Sequence, residues 1–137
     1  MEIQVLTETT AEVSDFFDRN FTAYSKKTIG KQSDYKQHIF TAHKDNKLVG
    51  ALRCEIMWSV VHIDLMIVVP EHRKQGVGTL LFNKVVDLNA SQITVETFDF
   101  QAPQYWINKG FQVDYIRDGY DGHKLYYLSK KTQPLLE

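Results

Sequence analysis

Cysteine, proline and tryptophan are scarce in this sequence, with one Cys, three Pro and two Trp. The lone Cys54 closes no internal disulfide and builds no cysteine-based zinc site, so nothing asks for an oxidising compartment. Neither sign of charge is in excess. Sixteen Lys and Arg stand against seventeen Asp and Glu, for a net charge of −1 and a pI of about 6.5. That excludes the global basic field of a nucleic-acid or anionic-membrane binder. The most apolar run, Val60 to Val69, is broken by His62 and Asp64, so no span of about 20 apolar residues exists to cross a membrane. The start, Met1-Glu2-Ile3-Gln4, lacks the basic region and apolar stretch of a secretory signal, and the expected location is the cytoplasm. Five histidines occur without H-x-x-x-H or H-E-x-x-H spacing, so no metal site is expected.

What is present has the composition of a globular domain. There are 137 residues, 43% hydrophobic and 24% charged, enough for one core and one domain over residues 1–137. Glu2 to Leu6 reads as a short first strand. Thr9 and Glu12 have capping-box spacing. Val13, Phe16, Phe17, Phe21 and Tyr24 then recur at helical intervals as one apolar stripe. Ser25 to Gln37 is polar and lysine-rich and predicts a loop or short irregular helix. Strands are expected at His38–Lys44, Lys47–Met57 and Val60–Val69, the first two joined at Asp45-Asn46. The third is dense in Val, Ile and Leu and suits burial on both faces.

Pro70 ends that strand. Gly76 to Leu88 then carries Val77, Leu80, Leu81, Val85 and Leu88 on one helical face, and Ser91 to Phe98 returns to strand character. This order predicts a βαβ crossover with a parallel pair. Ala102 to Lys109 is a short helix closed by Gly110, and Phe111–Arg117 with Lys124–Lys130 form a C-terminal hairpin. The expected fold class is α/β (α+β): an antiparallel meander, a βαβ crossover and a C-terminal hairpin in one mixed sheet, with helices on both faces.

The chemistry concentrates in Val68-Val69-Pro70-Glu71-His72-Arg73-Lys74-Gln75-Gly76-Val77-Gly78-Thr79-Leu80-Leu81. A buried strand ends, and an arginine and two glycines precede an amphipathic helix. Amides at a helix start carry partial positive charge, and glycine lets a phosphate approach without a side chain intervening. A phosphate-bearing ligand is expected there. The P-loop pattern is absent, and the dinucleotide pattern G-x-G-x-x-G fails because its third glycine position holds Leu81.

Arg73, Gly76 and Gly78 fit Arg-x-x-Gly-x-Gly after a Val-x-Pro at Val68 and Pro70. This resembles the acetyl-CoA signature of the GNAT family of N-acetyltransferases. The resemblance runs from about Lys44 to Leu128 and takes in Asp64-Leu65-Met66, the Thr97 to Pro103 segment and Lys109-Gly110-Phe111. It implies that the CoA pyrophosphate sits on the amides of Gln75, Gly76, Val77, Gly78 and Thr79, with Arg73 and Lys74 supplying positive charge. It also implies that the pantetheine arm lies beside Met66, Ile67 and Val68, where a bulge splays the two parallel strands. Acetyl-CoA is then the co-substrate and an amine the acceptor. No nucleic acid, membrane or metal is expected as a partner, and the resemblance is compatible with a homodimer.

Acetyl transfer to an amine needs an oxyanion stabiliser and a route for the amine proton. Family members that use a tyrosine as general acid have it in a Phe-Tyr-x-x-x-Gly-Phe segment. Counting back from Gly110, that position holds Trp106, with Tyr105 before it. Either Tyr105 reaches in from a shifted turn or no side chain protonates the sulfur. The second is preferred, because helix neighbours project about 100° apart, with Tyr105 pointing to the core and Trp106 walling the cofactor. For the base, His62 and Asp64 alternate onto one strand face with Met66 and Val68. Glu96 on the neighbouring strand is the third candidate. Asp64 is the preferred one, as base or substrate anchor, though it also reads as a structural acceptor, and His62 as a half-exposed strand residue. Cys54 reads as a small buried apolar residue. His123 after Gly122 fits an acceptor site or a surface loop equally. A small cationic amine is the favoured acceptor. The alternative is a catalytically silent acyl-CoA-binding module of the same fold.

Overall fold

The computed structural model describes residues 1–132. Met1–Asp34 and the chain from Tyr35 onward form two compact units.

The first unit is built on helix α1 (Ala11–Ile29). Its N-cap is Thr10, whose hydroxyl accepts the Val13 amide at 3.2 Å. The expected Thr9–Glu12 box is therefore displaced by one residue, and N3 is Val13, which has no carboxylate to return the bond. The Phe16, Phe17, Phe21 and Tyr24 stripe forms as expected and is half or more exposed. Gly30, at φ 70°, ends the helix and donates to the Lys26 carbonyl. The segment from Ser25, expected as a loop or a short irregular helix, instead continues α1 to Ile29. Glu2–Leu6 is not a strand. It has no ladder partner, and a five-residue strand cannot satisfy its backbone alone.

The second unit is a six-stranded sheet in the order β1-β2-β3-β4-β6-β5. β1 (Lys36–Lys44), β2 (Lys47–Met57) and β3 (Val60–Val68) are an antiparallel meander. Positive φ at both residues of Asp45-Asn46 and of Trp58-Ser59 gives two-residue turns whose twist matches the strands. α2 (Val77–Val86) carries the crossover to β4 (Gln92–Phe98), which is parallel to β3. α3 (Pro103–Asn108) and the pair β5 (Gln112–Asp118) and β6 (Lys124–Lys131) close the fold, with β6 inserted between β4 and β5.

Two features of β3 position the site. Its pairing with β4 covers only Val60–Ile63 against Gln92–Val95. Its register with β2 also slips, since Arg53 faces Leu65 while Cys54 faces Ile63, leaving Asp64 as an extra residue in a bulge. One inserted residue reverses the inward set. Before the bulge Val61 and Ile63 enter the core; after it Met66 and Val68 pack against the core, and Leu65 and Ile67 are 57% and 65% exposed. The expected burial of β3 on both faces therefore fails in its second half. Having lost its parallel neighbour, that half keeps a ladder on one side only.

The core joins Leu52, Cys54, Ile63, Val95 and Leu128 of the sheet to Leu81, Phe82 and Val85 of α2. Leu80, expected on the buried stripe, is exposed, and Phe82 takes its place. The row Val77, Leu81, Val85 faces the sheet, which turns Leu80 outward.

Candidate active site

α2 starts on Gly76, whose φ of 85° is left-handed and which offers no side-chain cap. The first-turn amides of Val77, Gly78 and Thr79 therefore have no partner within the helix. Arg73 Nε donates to the Val68 carbonyl at 2.8 Å, tying the turn back to the end of β3. Lys74, at φ 60°, takes a left-handed conformation costly for a residue with a Cβ.

Between this turn and the separated ends of β3 and β4 lies a cleft of about 730 Å³, within the range of small-molecule sites. Met66, Ile67 and Val68 line it on the β3 side, and Arg73, Lys74, Gly76, Val77, Gly78 and Thr79 at the turn. Asp64 and Glu96 are also brought to it, while Gln75 and His62 are not among its lining. The Gln75 side-chain amide instead donates to the Glu71 carbonyl. His62 is on the opposite face from Met66 and Val68, because the bulge at Asp64 reverses the alternation that would have kept them together. Its Nδ1 lies 2.7 Å from Thr94 Oγ1, and its ring stacks on Tyr127.

Asp64 Oδ2 accepts Arg53 Nε at 2.9 Å and pairs with Nη2 at 2.8 Å. That hydrogen bond raises the Arg53 pKa above its ordinary value. Asp64 thereby joins β3 to β2 within the sheet. Glu96 has no ion pair or side-chain hydrogen bond among the described residues, and its side chain is exposed.

Both aromatic residues of α3 line the cleft and both meet the core. Trp106 is 5% exposed and packs edge-on against Phe82 and Phe111, backing the cleft from within the core. Tyr105 stands at 88° to Trp106 and faces the glycine turn, where its hydroxyl is 2.9 Å from the point a Gly78 Cβ would occupy. That hydroxyl is buried without a hydrogen-bond partner. Burial pushes its pKa up, and nearby Thr79 offsets part of this without closing a bond of normal geometry. His72 Nδ1, on the same cleft, is also buried and unpartnered. Buried polar atoms are normally satisfied. Two such atoms beside three open amides fit a polar, phosphate-bearing ligand.

Sequence reasoning missed His72, Leu65, Phe100, Gln101 and Ala102 as cleft residues. Gln101 caps the end of β4, its Oε1 accepting the Phe98 amide at 2.8 Å. The last three lie in the Thr97–Pro103 segment, so the available signal was its position directly after the second parallel strand. His123 is not in the lining. Its Nδ1 is 2.9 Å from Asp99 Oδ1, and its ring meets the edge of Phe100.

A model of the acetyltransferase (GNAT) family matches residues 6–105. A search of curated proteins finds no significant match. Among solved structures, an acetyltransferase from Bacillus cereus ATCC 14579 superposes with a TM-score of 0.73 at 18% identity, covering 94% of this chain and 98% of its own. The ribosomal-protein-S18-alanine N-acetyltransferase from Escherichia coli gives a TM-score of 0.62 at 15% identity, with 96% and 97% covered. PaiA N-acetyltransferase from Thermoplasma acidophilum, in complex with coenzyme A, gives 0.59 at 12% identity, with 92% and 81% covered. These likenesses carry the fold; with the family model over most of the sequence, they establish that this chain belongs to the GNAT family of acetyltransferases.

Proposed function

We propose that this chain, acting as one domain over residues 1–137 in a reducing, cytoplasmic setting, transfers the acetyl group of acetyl-CoA to a primary amine of a small molecule. The observation that carries this is the parting of β3 from β4 beyond Ile63 and Val95, beside the open first turn of α2. The free backbone edge at Met66–Val68 suits an extended amide-bearing arm. The amides of Val77–Thr79 suit a pyrophosphate.

In the reaction the amine nitrogen attacks the acetyl carbonyl carbon, the C–S bond breaks, the nitrogen sheds its second proton as the amide forms, and CoA leaves as the thiolate, which takes up a proton to give the thiol. The amine must first lose a proton. Alkyl ammonium groups titrate near ~10, so at pH 7 only about one in a thousand is neutral. Glu96, unpaired in the cleft, is the assigned proton acceptor. Asp64, paired with Arg53 through Oδ2, is assigned to position the acceptor by accepting a hydrogen bond at Oδ1, and His62 is the competing base. The Glu96 carboxylate in the cleft favours a small cation over a protein acceptor. The bacterial neighbour that acts on a ribosomal protein keeps the protein acceptor as the competing class.

Release of CoA thiol is the measurement, across a panel of polyamines, aromatic amines and peptide N-termini. Glu96→Gln should lower kcat by about 10²-fold or more and flatten its pH dependence, at the low end of general-base contributions. Asp64→Asn should raise KM more than it lowers kcat. A pH–rate curve unchanged in Glu96→Gln but collapsed in His62→Ala would move the base to His62. Acetyl-CoA binding with no turnover on any amine would favour the silent acyl-CoA-binding module.

A further inference from the structure

Lys109, the residue after α3, is oddly placed for a cation. Its Nζ donates to Thr79 Oγ1 at 3.1 Å and lies over the rings of Phe82 and Tyr105, 5.4 and 5.0 Å from their centroids. Thr79 is the third residue of α2. The ammonium is thus held against the first turn of a helix, where the helix carries its own partial positive charge and a cation is disfavoured. No carboxylate pairs with Lys109 among the described residues. The placement is nevertheless rigid. The Lys109 carbonyl accepts Lys130 Nζ at 2.8 Å, and Gly110, at φ 94°, fixes the chain beyond it. Beside it, and independently, the Tyr105 hydroxyl oxygen is wholly buried with no partner. The ammonium at Thr79 Oγ1 and the hydroxyl beside Gly78 thus both border the first turn of α2, with no carboxylate paired to the ammonium among the described residues.

We infer that Lys109 is a phosphate-holding residue, closing from the end of α3 over a phosphate of CoA that rests on the amides of Val77–Thr79. This rests on the function proposed above. Thr79 Oγ1 and the two rings hold the ammonium in place, so little side-chain entropy is lost when the phosphate arrives.

The test is calorimetric titration of the full chain with CoA and with 3′-dephospho-CoA, at low and high salt. Lys109→Gln should lose about ten-fold in CoA affinity, the scale of one charge-assisted hydrogen bond, with a shallower salt dependence. Lys109→Arg should stay within about three-fold of wild type. The ligand-free melting temperature should not fall in Lys109→Gln, since a cation leaves a positive helix end. A loss that persists with 3′-dephospho-CoA assigns the pyrophosphate; one that vanishes assigns the 3′-phosphate. If Lys109→Gln does not fold, Lys109→Met keeps the apolar stem over the two rings and serves the same comparison. CoA affinity within about two-fold of wild type in the folded variant overturns the inference and leaves the proposed function standing. Wild-type protein that binds no CoA overturns both.

Discussion

Gly76 and Gly78 lie two positions apart and are glycine for different reasons. A Cβ on Gly76 would meet nothing within 4 Å, but its φ of 85° strains any L side chain. Gly76→Ala should cost about 1–2 kcal/mol in urea denaturation. A Cβ on Gly78 would meet the Tyr105 hydroxyl at 2.9 Å and the Met66 methyl at 3.1 Å. The methyl can swing away and the ring cannot. Gly78→Ala should cost about 1–3 kcal/mol, and at least half of that should return in the Tyr105→Phe background, where the nearest ring carbon is 3.7 Å away. Additive costs in that double-mutant cycle would refute the contact. The sequence pattern alone marks both glycines as places where a ligand approaches; only the packing of α3 on α2 separates a backbone requirement from a steric one. Cys54 is simpler. It is buried, and burial first, then the Asp64 and Glu55 charges, pushes its thiol up to about 11. At pH 8 about one thiol in a thousand is ionised, so thiol reagents should label Cys54 only after unfolding.

At the scale of elements, the bulge at Asp64 decides what β3 can do. Deleting Asp64 would restore a two-residue period in which Ile63, Met66 and Val68 still face the core and Leu65 and Ile67 still face outward. Cooperative unfolding should therefore survive the deletion, and Asp64→Ala, which breaks only a half-exposed ion pair, should cost little. Loss of cooperative unfolding in the deletion variant would refute this account of the register. The loop between β5 and β6 is held by a different device. Asp99 accepts the Lys124 amide at 2.8 Å and pairs with His123. The Lys124 amide first, then His123, holds its carboxyl below the ordinary range. A carboxylate whose folded pKa is depressed stabilises the fold above its unfolded pKa, near 3.9, and loses that contribution as pH falls through the folded value. The stability gap between wild type and Asp99→Asn should therefore narrow below about pH 4. A gap independent of pH would remove the charge from the explanation. The aromatic stripe of α1 and the β strands were legible because their periods are local. The bulge was not, since an extra residue shows only against the partner strand.

At the scale of the whole molecule, local signals in the chain determined the element order, the βαβ crossover, the glycine turn and the family. Hydrophobic period, Gly and Pro punctuation and helix-start residues act over a few positions and need no partner. What only the tertiary structure decided is which side chains share the cleft. His62 was grouped with Met66 and Val68 by counting in twos, and the bulge turned it to the other face. Asp64 became the partner of Arg53, eleven residues away on the neighbouring strand. Glu96 stayed in the cleft, with no ion pair among the described residues. Trp106 entered the core between Phe82 and Phe111, and this turned Tyr105 onto Gly78. An offset of about 100° between helix neighbours fixes only the angle between Tyr105 and Trp106; packing fixes where that angle points, and it brings both residues to the cleft. The sequence by itself determined that a glycine turn and a helix start follow a parallel strand. The charges and aromatics that meet there were decided by strand register and helix rotation, which depend on contacts between residues far apart in the chain.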